Sequence, residues 1–217
     1  MTHDPTVAGR TTLVLSYMTL RKIVGLIAIA LPPVLVLGRC LLDGVGMERS
    51  ISAYYYTSMR DVMVGSLCAI ATFLLSYHGP ERQDDVAGDV ACAFALGVAL
   101  FPTAPTGVPS APQAVLSGLH SLCAGGFFLT LAYFSLILFR KGSPDPTPRK
   151  RLRNHVYAVC GGIILLCAAG LGAVHLLPDT APVFRWSPTF WLEAAGIWAF
   201  GWSWFTKGEG ILRDKEI

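Results

Sequence analysis

Six long apolar runs, at about 23–42, 61–77, 86–101, 114–139, 155–177 and 188–206, occupy most of this 217-residue chain. Crossing a hydrocarbon core as a helix takes about 20 residues, with a range of roughly 17–25. Each run reaches or approaches that length once its flanks are included. A helix lying on a soluble core repeats polar and apolar faces at a 3.6-residue period, whereas 127–139 and 163–177 are apolar on every side. Hydrophobic residues make up 53% of the chain and charged residues only 14%, which lies outside the range of soluble domains. The expectation is an all-α, polytopic membrane protein, with residues 1–217 forming a single transmembrane domain built as a compact six-helix bundle.

Charge sets the expected orientation. Arg39, Arg49, Arg60 and Arg185 fall in the odd-numbered connections, while the other 13 of the 17 Lys and Arg residues fall in the termini and even-numbered connections. Loops rich in Lys and Arg stay in the cytoplasm, so both termini are expected there, in an inner (plasma) membrane. The net charge of +3 is then a topological signal, and the basic cluster at Arg149–Arg153 needs no nucleic-acid partner. The first apolar run continues into Pro32, Pro33 and Arg39 without a small-residue cleavage site, unlike a secretory signal. The stretch 11–20 is expected to lie along the cytoplasmic interface.

Six cysteines (Cys40, Cys68, Cys92, Cys123, Cys160 and Cys167) sit in or beside the runs with no CxxC spacing, which suits small apolar filler rather than zinc or disulfides. Ala91, Ala95 and Ala99, the step from Ala93 to Gly97, and Gly161, Gly162, Gly170 and Gly172 provide small-residue faces for close helix packing in lipid. Pro32 and Pro33 predict a kink in the first helix. Asp84, Asp85 and Asp89 follow a turn and favour a helix N-terminus; a metal site is the weaker alternative. Four prolines at Pro102, Pro105, Pro109 and Pro112 predict a stiff outer loop. The segment 141–151 reads as a cytoplasmic linker.

Charges at bilayer depth are costly and mark sites to inspect. Arg60, Asp61, His120, His175 and Glu193 interrupt or abut the runs, all on the expected outer side. At about 100° per residue, Trp191, Trp198 and Trp202 share one stripe, and Glu193 lies about 200° from it, with Gly196, Phe200 and Trp204. The stripe is expected to face lipid and Glu193 the bundle, with Ser187 and Pro188 starting the helix. Arg60, His120 and His175 are the expected partners of Glu193. For His120 the plain reading is a hydrogen-bonded core residue, and for His175 an interfacial one. Tyr54, Tyr55 and Tyr56 read as an interfacial aromatic belt, or alternatively as the mouth of a pocket that would include Tyr55 and Tyr56.

Cofactor readings fare poorly. His78 and His155 near the inner level, with His120 and His175 near the outer, superficially match bis-histidine haem ligation, but His78 abuts Gly79 and His155 sits in a basic loop. His120, His175 and Glu193 or Asp61 offer a three-ligand hydrolytic zinc set, without the paired histidines on one helix that intramembrane ceramidase-type hydrolases use. No cofactor and no metal are therefore expected, and no P-loop, GxSxG, HExxH or dinucleotide fingerprint occurs.

Three stretches, SISAYYYTSMRDVMVGSL at 50–67, GDVACAFALGVALFP at 88–102 and FWLEAAGIWAFGWSWFTKGE at 190–209, resemble a group of bacterial six-span membrane proteins with no assigned reaction. That resemblance covers about residues 15–209. More distantly, the order of parts is similar to the Frag/DRAM/Sfk type: an outer loop after span one, a histidine early in span four and an acidic residue entering span six. The resemblance implies the six-span topology and draws attention to Arg60, Asp61, His120 and Glu193; it implies no substrate.

The leading expectation is a multi-pass protein with an outward-facing polar pocket that binds a lipid headgroup or small ligand, its partners being membrane lipids. The pattern specifies no oligomeric state. A metal-dependent intramembrane hydrolase and a proton-coupled transporter are the alternatives, the latter weakened by the lack of an inverted repeat. The decisive expectation is geometric: Glu193, His120 and Arg60 should converge.

Overall fold

The computed structural model describes residues 17–79, 81–142, 145–178 and 181–212. Six long helices follow one another: α1 (Tyr17–Asp43), α2 (Arg60–Leu75), α3 (Arg82–Leu100), α4 (Ala111–Tyr133), α5 (Pro148–His175) and α6 (Pro188–Lys207). Short 3-10 helices at Ser52–Tyr56 and Pro182–Trp186 lie in the α1–α2 and α5–α6 connections. No strand occurs among the described residues.

Local chemistry sets the helix starts. The Thr147 hydroxyl accepts the Lys150 N–H at 3.1 Å, and Pro148 occupies the first turn, where its missing donor costs nothing. At α4 the Gln113 side chain reaches back to the Ser110 N–H at 2.8 Å. At α3 the Asp84 carboxylate does the same for the Glu81 N–H, at 3.3 Å, and Asp85 accepts from Gly79 at 3.2 Å. The acidic cluster thus satisfies backbone donors. The end of α4 widens into a π-turn at Phe134–Leu138, closed by a Phe139 N–H to Phe134 carbonyl bond of 2.9 Å. That turn brings Phe134, Ser135, Leu138 and Phe139 inward together.

Consecutive helices pack side by side, and α6 closes the ring against α1. The connections α1–α2, α3–α4 and α5–α6 share one end of the bundle. The opposite end holds Tyr77, Phe134, Phe139, Tyr157, Phe200 and Trp204, whose rings meet at 5.3–5.8 Å. Most of these meetings are edge-to-face, the arrangement that ring quadrupoles favour. A second core, nearer the three connections, joins Leu31 and Leu35 of α1, Tyr54 of the first 3-10 helix, Met63 and Leu67 of α2, and Phe190 and Ala194 of α6.

Outside the ring, Leu37, Leu41, Leu42, Leu122, Leu129 and Leu166 are exposed. Three helical stretches, Met18–Asp43, Ala111–Leu138 and Pro148–His175, are long and apolar enough to cross a membrane. Of the rest, α2 has only 16 residues, and α3 carries Arg82, Asp84 and Asp85 in its first turn.

Several expectations need correction. Tyr17–Leu20 forms the first turn of α1, so the helix begins inside the stretch expected to precede it; 11–16, Arg10, Pro80, Arg213 and Lys215 lie outside the described residues. Pro32 and Pro33 lie inside α1, which continues as one helix on both sides of them. The basic cluster at Arg149–Arg153 belongs to the start of α5, because Thr147 and Pro148 launch the helix early. Ala91, Ala95 and Ala99 are buried as expected, but Ala93 and Cys40 are exposed. Trp198 leaves the lipid-facing stripe: its indole N–H donates to the Ile29 carbonyl oxygen at 3.0 Å, fastening α6 to α1.

Candidate functional site

A cavity of about 510 Å³ opens among α4, α5 and α6 at the end that carries the three connections. His120, Ser121, Ala124, Gly125 and Phe128 line it from α4, Ala168, Leu171, Gly172, Val174 and His175 from α5, and Thr189 and Glu193 from α6; Ser50, Thr103, Leu177 and Phe184 line it from the connections. Its walls are made by absence of bulk. A Cβ on Gly125 or Gly172 would meet no atom within 4 Å, so these glycines border open space rather than a neighbouring helix. Three of the expected residues, His120, His175 and Glu193, share this cavity.

Glu193 sits in the second turn of α6, partly buried on the cavity wall. Its carboxylate accepts the Ile51 N–H at 2.5 Å and the Ser52 hydroxyl at 3.3 Å. These donors open the 3-10 helix at Ser52–Tyr56, so the carboxylate holds the α1–α2 connection against α6. The Phe190 N–H donates to the Arg49 carbonyl at 3.0 Å and seals the same seam. The expected cationic partner is therefore replaced by backbone and hydroxyl donors. Ser187, which starts α6, makes no side-chain cap and sits at φ 48°, in the left-handed region. Burial of α6 against the loop overrides that local cost.

His120 is 5% exposed, and its Nδ1–H donates to the Phe101 carbonyl oxygen at 2.7 Å. Phe101 terminates α3, so the imidazole ties the α3–α4 connection to α4. With Nδ1 committed as a donor, Nε2 is the acceptor of the neutral ring. His175 is exposed at the last turn of α5.

Arg60 and Asp61 do not join. Both are exposed at the start of α2. The Arg60 guanidinium lies 4.4 Å from the Tyr55 ring centre and donates to its hydroxyl at 2.9 Å. The expected convergence of Glu193, His120 and Arg60 thus holds for the first two only. Among the described residues, Asp61, Tyr55 and Tyr56 also stay out of the cavity lining. The three tyrosines divide instead of forming a belt. Tyr54 is fully buried against Phe190, with burial pushing its phenol above the ordinary pKa range, and it accepts the Glu48 N–H at 3.4 Å. Tyr56 donates to the Thr103 carbonyl at 2.7 Å, joining two connections beside the cavity.

The metal set fails on geometry: among the described residues, no three His, Cys, Asp or Glu side chains come close enough to hold one ion. His78 and His155 are exposed at the opposite end. The cavity itself combines polar and apolar surface. It offers one carboxylate, two imidazoles, the hydroxyls of Ser50, Ser121, Thr103 and Thr189, and an apolar wall. Sequence reading missed Ser50, Thr103, Ser121 and Thr189, since single uncharged hydroxyl residues do not stand out in an apolar chain as charges and imidazoles do.

No protein-family model, curated protein or solved structure matches the chain.

Proposed function

We propose that this chain is a six-span integral membrane protein of an inner (plasma) membrane, of the bacterial six-span kind, and that it binds a lipid headgroup or small ligand in its outward-facing cavity. The observation that carries the reading is the cavity itself. A volume of about 510 Å³ falls in the range of small-molecule sites, roughly 300–1,000 Å³. It is polar at the connections and apolar deeper in, as an amphiphile requires. Exposed leucines around the ring support lipid as the surrounding solvent. The distribution of Lys and Arg supports cytoplasmic termini, which puts the cavity on the outer side. A binding role is favoured over metal-dependent hydrolysis because no metal-ligating group assembles among the described residues. It is favoured over transport because α1 is continuous through its prolines, where transporters commonly break helices at the binding site.

Filling the cavity tests this. Gly172→Leu adds bulk to open space and improves helix propensity, so the variant should fold at least as well as the parent. Mass spectrometry of the full chain purified in neutral detergent should find a co-purifying molecule that Gly172→Leu removes. Equal recovery from both proteins would refute the cavity as the binding site.

A further inference from the structure

Resting on that reading, we infer that the occupant is an anionic phospholipid whose phosphate is held at the cavity mouth by Arg49 and Arg185. The mouth is a groove of about 490 Å³ lined by both arginines, with Ser187 and Thr189 beside them. Ser50, Phe184 and Thr189 line the groove and the deeper cavity alike, so the two adjoin at these residues.

The arginines are held on a common frame. The Arg49 carbonyl accepts the Phe190 N–H, and the next residues along, Ile51 and Ser52, are clamped by Glu193. Arg185 belongs to the 3-10 helix that leads directly into α6, and its Nε–H donates to the Pro182 carbonyl at 3.2 Å, leaving both terminal nitrogens for a ligand. Among the described residues, neither arginine takes part in an ion pair; the nearby acids Asp43 and Glu48 engage Arg39 instead. Two guanidinium groups in one concave mouth suit a phosphate, which accepts paired N–H bonds from each.

Depth sets where the charge stops. The oxygens of Glu193 on the cavity wall already accept from Ile51 and Ser52, and the arginines line the mouth rather than the deeper cavity, so the phosphate belongs at the mouth. Below it, Ala124, Gly125, Phe128, Ala168, Leu171 and Gly172 form a wall that a free phosphate would leave wet and that acyl chains would cover. Charge at the mouth and apolar surface beneath it together select a lipid source for the anion.

The test is titration of the full chain in neutral detergent with phosphatidylglycerol, diacylglycerol of the same chains and inorganic phosphate, read by native mass spectrometry. Phosphatidylglycerol should bind at least about tenfold tighter than diacylglycerol, the scale of a charge-assisted contact. Arg49→Gln with Arg185→Gln should erase that advantage without weakening diacylglycerol binding, and the Arg→Lys pair should retain part of it. Both substitutions are at exposed side chains, so folding is expected to be unaffected. Inorganic phosphate that competes as well as phosphatidylglycerol would overturn the lipid assignment. If Gly172→Leu abolishes binding while the Gln pair changes nothing, the cavity reading stands and the headgroup assignment falls. If neither variant changes binding, both fall.

Discussion

At the scale of single residues, the carboxylate of Glu193 acts first as a structural acceptor. Its two donors come from a segment some 140 positions away in sequence. Glu193→Ala should release the α1–α2 connection, costing about 2–3 kcal/mol. The measurable outcome is a lower melting temperature together with faster proteolysis between Gly44 and Met59. Glu193→Gln keeps one acceptor oxygen and should lose about half as much. His120 permits a sharper comparison. Asparagine can place an amide donor where Nδ1–H stands, whereas leucine leaves the Phe101 carbonyl without its partner. His120→Leu should cost about 1–3 kcal/mol and His120→Asn clearly less, by thermal unfolding in detergent. Equal losses would show that packing, and not the hydrogen bond, holds the α3–α4 connection.

Elements carry a different set of constraints. α1 and α6 approach so closely that a Cβ on Gly25 would lie 2.7 Å from the Gly201 carbonyl oxygen, and one on Gly201 would lie 2.9 Å from that of Gly25. Gly25→Ala or Gly201→Ala must push the helices apart, at about 1–3 kcal/mol by the usual cost of overpacking. Gly118→Ala, facing open space, should be neutral or slightly stabilising, and chemical denaturation of the three variants decides the matter. The 3-10 helix of the α1–α2 connection adds a pH dependence. Tyr54 is held protonated by burial, so its folded pKa is raised. The stabilisation is complete below the unfolded phenol value near 10 and declines as pH rises through and beyond it. Melting temperature should therefore fall above about pH 10, and Tyr54→Phe should flatten that decline at the expense of a small loss at neutral pH.

At the scale of the whole molecule, the closed ring of helices puts three connections at one end and both described ends of the chain at the other. Fusing alkaline phosphatase or a green fluorescent protein to the C-terminus tests the orientation: fluorescence without phosphatase activity is the expected result, and the reverse would turn the cavity toward the cytoplasm. Helix number, approximate helix limits and the inward face of Glu193, Phe200 and Trp204 were legible in the chain, because hydropathy and the 3.6-residue period are local properties that burial then obeys. So was the rough level of His120, His175 and Glu193. Their neighbours were not legible. Arg60 shares that level yet turns to Tyr55, five residues away, because a local cation–aromatic contact at the surface avoids burying the charge. Tyr54 and Trp198 read as interfacial aromatics, yet one fills a core and the other bonds to α1. Hydropathy cannot separate lipid from protein as an apolar surrounding. The five charges and imidazoles that interrupt the apolar runs thus marked one end of the bundle from the outset. Ring closure then selected which of them meet: it set α6 between α1 and α5, pressed the first connection onto Glu193, and left glycines on α4 and α5 facing empty space instead of each other.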